Sequence, residues 1–191
     1  MRRNLGDTMS KLVLIAGLLH YAITAVVVRL HFSSSTFPRE AHLLAIVSYV
    51  GLAAFTYLML RDRHAAAGLL AALGLFVASM GLFFWTVATT RSRRPRIAFD
   101  PWPPGFVTQT GPYRYIQHPF HASYLLFWLG CAVATLHPVS LAFLVVFSAI
   151  FLVVAIREER SFEGTPFAAE YGNYRRTAGL LWPRFGAEDG G

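Results

Sequence analysis

Five apolar runs alternate with short polar stretches along this chain, at residues 12–30, 42–60, 65–90, about 120–136 and 139–156. Each approaches the roughly 20 residues a helix needs to cross a bilayer. Charge closes three of them. Arg61, Asp62, Arg63 and His64 end the second, Arg91, Arg93, Arg94 and Arg96 the third, and Arg157, Glu158, Glu159 and Arg160 the fifth. The pattern predicts an all-α integral membrane bundle of about five transmembrane helices, built as one domain over residues 1–191. Residues 12–90 hold three N-terminal spans, and residues 100–185 hold a polar segment, a helical hairpin and a polar tail. Only His137 and Pro138 separate the last two runs, so these form a tight hairpin.

Arg2 and Arg3 ahead of the first run resemble the start of a signal peptide. The run is long for that role, however, and no small-x-small cleavage site closes it, so it reads as a retained span. The loop of residues 91–117 and the tail from Arg157 are both rich in arginine, while the His137 turn has no lysine or arginine. The positive-inside rule places the loop and the tail in the cytoplasm and the turn outside. Five spans would then put the N-terminus outside, against the pull of Arg2, Arg3 and Lys11.

Composition supports a lipid solvent. Residues are 55% hydrophobic, mean hydropathy is +0.47, and only 14% are charged, against roughly 25% in soluble domains. The net charge of +7 is almost wholly arginine, Lys11 being the only lysine. These arginines sit between apolar runs, as flanks facing anionic headgroups do, and not on a solvated basic face, which excludes nucleic acid as a partner. Cys131 is the only cysteine and lies within an apolar run, so no intrachain disulfide forms and a packed thiol is expected.

The concentrated chemistry lies in two polar segments. In the first, Asp100-Pro101-Trp102-Pro103-Pro104-Gly105 cannot be regular helix, Gly111-Pro112 signals a turn, and Pro119 suits a first helical turn. His118 therefore stands at the mouth of the fourth span, where free backbone N–H groups favour an anion. His121 lies three residues on, along the same helical face. The second segment runs from Arg157-Glu158-Glu159-Arg160 through Glu170, Tyr171, Tyr174, Arg175 and Arg176. Hairpin topology returns both segments to one membrane face, so His118 and Glu158 become neighbours. Taken singly, each group has a plain explanation. The arginines snorkel, the glutamates pair with them, and the tyrosines and Trp182 form an interfacial belt. His118 and His121 as a metal pair lack an evident third ligand, so no metal is expected. Taken together, carboxylates and aromatic faces favour a cation and the helix mouth an anion, which suits a zwitterion with an added positive centre.

At these residues the chain resembles the isoprenylcysteine carboxyl methyltransferases and their relatives, the membrane phospholipid methyltransferases. The resemblance is carried by Gly111-Pro112-Tyr113-Arg114-Tyr115-Ile116-Gln117-His118-Pro119-Phe120-His121, then by Glu158-Glu159 and Phe167-Ala168-Ala169-Glu170-Tyr171-Gly172-Asn173-Tyr174. It implies S-adenosyl-L-methionine as methyl donor, bound in a cytoplasmic pocket by Gly105, Phe106, Val107, Thr108, Tyr113, His118, Pro119, Phe120, His121 and Glu158. It also implies a lipophilic acceptor reaching the site from the bilayer, for which a carboxylate (O-methylation) is expected, with phospholipid or amine N-methylation as the alternative. A carboxylate is ionised at neutral pH and needs no strong base. An amine must lose a proton, and Glu159 or His121 then becomes the base. Departures from the family pattern fall on the acceptor side. Gln117 replaces an arginine, His121 a tyrosine and Ala168 a glycine, and Val154 stands where prenylcysteine enzymes carry a substrate-holding arginine. Arg157, the nearest arginine, is the expected catalytic and substrate-facing cation, with Gln117 also facing substrate. A membrane reductase would need an added phosphate-binding arginine cluster that the motif lacks. A non-enzymatic membrane subunit is the remaining alternative.

Overall fold

The computed structural model describes residues 2–33, 38–96 and 105–185. Among these residues all regular structure is helical: α1 (Arg2–His31), α2 (Arg39–Arg61), α3 (Ala66–Thr89), a 3-10 turn at Gly111–Arg114, α4 (Pro119–Thr135), α5 (Pro138–Ser161) and α6 (Ala168–Thr177). Inside a bilayer, backbone polar groups find no water, so a helix that satisfies its own ladder is the economical way across. Four helices are long and apolar enough to cross, over Gly6–His31, Arg39–Arg61, Ala66–Thr89 and Pro138–Ser161. Their outward faces are apolar: Ile15, Leu19, Leu43, Ile46, Leu70, Val77 and Val145 are each more than half exposed. That surface is untenable in water and natural against lipid, so the chain is a multi-pass membrane bundle.

The fifth predicted run behaves differently. α4 has 17 residues, about 26 Å at the helical rise, somewhat short of a full hydrocarbon core. Twelve of those 17 residues are buried, so α4 is the inner helix and the four longer ones shield it. Its closest neighbour is α3, with α5 next and α1 and α2 touching more lightly. The α3–α4 approach depends on Gly130, where a Cβ would come within 2.6 Å of the Phe76 ring. Aromatic rings fill the space around it. Phe76 stacks on Phe127 at 5.4 Å, and Trp128 stacks on Phe147 of α5 at 4.2 Å.

The hairpin closes as the sequence requires. Leu136 ends α4 in the left-handed region (φ 46°), and the His137 side chain accepts a hydrogen bond from the Val139 amide at 3.2 Å to start α5. α5 then continues through the charged run to Ser161, well beyond the apolar stretch. On α1, Thr24 Oγ1 donates to the His20 carbonyl (2.6 Å), and His31 meets Thr90 Oγ1 at 2.8 Å, fastening the end of α1 to the end of α3. The His31–Thr90 contact joins the ends of α1 and α3 at the face where α4 begins, and the hairpin returns the end of α5 to the same face.

Gly130→Leu should force α3 and α4 apart. Overpacking of this kind costs about 1–3 kcal/mol. A lowered Tm of the detergent-solubilised protein, with Gly74→Leu unchanged because a Cβ there meets nothing within 4 Å, is the expected outcome.

Candidate active site

Two elements set the site. α4 begins at Pro119, whose missing N–H suits the first turn, and His118 immediately precedes it. α5 carries Glu158 and Glu159 in its last helical turns. Neighbouring residues on a helix point about 100° apart, so the paired glutamates face different partners. Glu158 meets His118 Nδ1 at 2.9 Å. Glu159 turns to Arg175 of α6 at 3.5 Å, with its own side chain 12% exposed.

His118 and His121 are both buried. Their rings lie nearly parallel, 11° apart with centroids at 5.4 Å, and His121 also stacks on Phe151 of α5 at 5.2 Å. His118 Nε2 and His121 Nδ1 are buried without a hydrogen-bond partner among the described residues. An unsatisfied buried polar atom costs about 1–3 kcal/mol, so two of them beside a carboxylate 36% exposed describe a place built to receive a polar ligand.

Tyr113 borders this place. Its phenol is held above the ordinary tyrosine value by burial first and by the Glu158 carboxylate second. Tyr113 and Val107 pack against a second apolar cluster of Phe162, Tyr171, Tyr174 and Ala178, in which Phe162 and Tyr171 stack at 4.0 Å. Tyr174 Oη donates to the Tyr113 carbonyl at 2.7 Å. α6 therefore braces the 3-10 turn that presents Tyr113.

The expected residues do not all converge. Tyr113, His118, His121 and Glu158 come together, and Pro119 fixes the helix start. Phe120 is buried, but its ring turns toward Phe83 (5.6 Å), Phe32 (5.1 Å) and His31 (6.1 Å), on the α1–α3 side. Phe106 lies under Arg93, whose guanidinium is 5.9 Å from the ring centroid. Gly105 is exposed and Thr108 half-buried. Arg157 is exposed. The segment Asp100-Pro101-Trp102-Pro103-Pro104 lies outside the described residues, as does the tail 186–191.

Two features of the mouth were not foreseen in the sequence. Gln117 is buried, and its amide donates to the carbonyls of Ala178 (2.6 Å) and Arg175 (3.3 Å) and receives the Tyr171 hydroxyl (3.4 Å). These bonds tie α6 to the mouth of α4. The mouth itself is partly filled. The Gln117 and His118 amides donate to the carbonyls of Gly179 (2.8 Å) and Leu180 (3.1 Å), and the Gly179 and Arg184 amides return to the Tyr115 carbonyl (both 3.0 Å). Phe120 and His121 remain as the first-turn amide donors. The strap of residues 178–184 was missed in the sequence, where Gly179 and Pro183 were its only local signals.

Histidines and a carboxylate thus gather at one face of a lipid-sheathed helical bundle. A family model for phospholipid methyltransferases matches residues 62–167, more than half of the chain, and the chain belongs to that family. The match spans α3, α4, α5 and the 3-10 turn, and so covers His118, His121 and Glu158. No curated protein matches the chain.

Gln117→Leu should strand the Ala178 carbonyl, at a cost of about 1–3 kcal/mol. Faster hydrogen exchange across residues 168–184, with α1–α3 unaffected, is the expected result. The tyrosines predict an alkaline limit. Burial raises the pKa of Tyr113, Tyr171 and Tyr174 in the folded state. An acid whose folded pKa is raised stabilises fully below its unfolded value near 10 and loses that contribution as pH climbs beyond it. Thermal stability should therefore fall above about pH 10, and Tyr174→Phe should lessen the fall.

Proposed function

We propose that this chain transfers a methyl group from S-adenosyl-L-methionine to a lipophilic acceptor that reaches the site from the bilayer, with the reacting groups on the cytoplasmic side. The observation that carries the reading is the meeting of His118, His121 and Glu158 beside Tyr113 in a member of a methyltransferase family. The residues suit such a donor. Glu158 offers a carboxylate to an ammonium, the first-turn amides of α4 and the orphaned histidine nitrogens offer contacts to polar groups, and Tyr113 offers an aromatic face to a cation. When bound, the donor supplies an electrophilic methyl on a sulfonium centre. The chain's own contribution is then to orient, to exclude water and to hold protons. The basic residues support the cytoplasmic orientation: Arg91, Arg93, Arg94, Arg96, Arg114, Arg157, Arg160, Arg175 and Arg176 all belong to the loop and tail on the α4-mouth face, against Arg2, Arg3, Lys11, Arg61 and Arg63 toward the other.

For the acceptor, the groove between α2 and α5 favours an amine-bearing lipid over a carboxylate. It has a volume of about 360 Å³ and is lined by Leu43, Leu44, Val47, Ile150, Val153 and Val154, with Glu40 the only charged lining residue among the described residues. Buried Val154 sits one turn before Glu158 on α5, so groove and pocket share a wall. An acceptor carboxylate would be repelled by Glu40 there, whereas a protonated amine would be attracted to it.

The test has two arms. Calorimetry with S-adenosylhomocysteine should show binding by the wild type and loss of at least tenfold affinity, about 1.4 kcal/mol, in Glu158→Ala. Absence of binding by the wild type overturns the donor reading. Feeding methyl-labelled methionine to cells with and without the gene should place label in amine headgroups of lipids. Base-labile labelled esters would point instead to a carboxylate acceptor.

A further inference from the structure

The sequence offered His118 and His121 as a metal pair without a third ligand. The fold supplies one. One nitrogen of each histidine and a carboxylate oxygen of Glu158 all lie within 4.8 Å of one another. We propose that His118, His121 and Glu158 form a divalent transition-metal site, for which zinc is the best-suited ion, and that metal and methyl donor exclude one another.

The donor set argues for the ion class. Two imidazoles and a carboxylate suit zinc and its d-block neighbours, whereas magnesium and calcium select oxygen ligands. His118 Nδ1 already lies 2.9 Å from the carboxylate that would be the third ligand. His121 Nδ1 is buried without a partner among the described residues, and both rings are more than nine-tenths buried. A metal here would replace the His118 Nδ1–Glu158 contact with two metal–ligand bonds and satisfy the orphaned His121 nitrogen. Zinc ligands at about 2.0–2.2 Å from the ion sit roughly 3.3 Å apart, so the three groups must draw together. The carboxylate has room to do so, being 36% exposed, and the same opening gives the ion its path. Three protein ligands leave a fourth position open. Exclusion follows because these atoms are the ones assigned above to the donor. That part rests on the donor reading, and the metal site itself does not.

The test uses the full chain in detergent or nanodiscs, first stripped with a chelator. Cobalt(II) should give the visible d–d absorption of a nitrogen–oxygen site, and zinc titrated by calorimetry should bind at one equivalent. His121→Ala and Glu158→Gln should each abolish that equivalent, while Glu163→Gln and His64→Ala should retain it. Circular dichroism and Tm of the apo forms identify any variant that has failed to fold. For a variant so lost, His118→Gln, which keeps a polar side chain at the helix mouth, replaces it and should also abolish the equivalent. With S-adenosylhomocysteine at 100 times its own Kd, the apparent zinc Kd should rise about 100-fold. Absence of the equivalent in the wild type, or its persistence in a folded His121→Ala or His118→Gln, overturns the site. Zinc binding that is indifferent to bound S-adenosylhomocysteine overturns the exclusion. Zinc binding without any S-adenosylhomocysteine binding overturns the donor reading while the metal site stands, and the reverse result overturns only the metal site.

Discussion

The hydrogen bond between His118 and Glu158 joins two residues forty positions apart, and the rest of the molecule is arranged so that it can form. It needs α4 to begin at Pro119, α5 to return antiparallel through the His137 turn, and α5 to stay helical past its apolar stretch. Hydrocarbon imposes the first two conditions, because a chain that enters it must leave as a completed helix. The third is imposed by charge: Arg157 and Arg160 are exposed at the end of α5, where an interface accepts cations. Helical continuity there separates Glu158 from Glu159 by a third of a turn. One glutamate becomes part of the pocket and the other a bracket for α6.

That bracket explains why a small cytoplasmic lobe is needed at all. The N-terminal mouth of a helix leaves amides unsatisfied, and at α4 they adjoin the site. The strap of residues 178–184 takes the amides of Gln117 and His118, Gln117's side chain takes two carbonyls from the end of α6, and Tyr174 takes the Tyr113 carbonyl. These bonds fix the backbone of the residues that bear the chemistry. The two histidine nitrogens and the Glu158 carboxylate are left to the ligand.

The apolar runs were legible because lipid makes hydropathy a direct report of the solvent. All five appear as helices, α1 beginning ten residues before its apolar run and α5 ending five residues after its own, and the hairpin follows from a two-residue gap. What composition could not convey was depth. α4 reads much like its neighbours in hydropathy, yet it is the buried helix, because Gly130, Ala122, Ala132 and Ala134 admit close packing that bulkier faces do not. On the site, the proximity of His118 and Glu158 was a matter of topology and could be read in advance. The role of Gln117 could not. A glutamine beside a histidine looks like a ligand until the carbonyls it serves are known, and those come from a tail sixty residues away whose fold no periodicity announces. The same holds for Phe120, whose neighbours on α1 and α3 lie outside the motif.

The histidine–glutamate cluster and the α2–α5 groove rest on different foundations. The cluster lies on α4 and α5, a directly linked hairpin whose interface is filled with stacked rings: His121 on Phe151, and Trp128 on Phe147. The groove is bounded on its other side by α2, which touches α4 and α5 only lightly. Substitutions on α2, or at Val153, can therefore reshape the groove without disturbing the His118–Glu158 bond. Val154 is the exception, because it is buried in the wall the two share. An arginine at that position would have to bring its charge into an apolar groove and beside Glu158, and would compete with His118 for the same carboxylate. Valine keeps the wall neutral, leaving Glu158 to its histidine and the groove's polarity to Glu40. Under the proposed function, Val154 would thus stand between the groove that receives the acceptor and the carboxylate assigned to the donor.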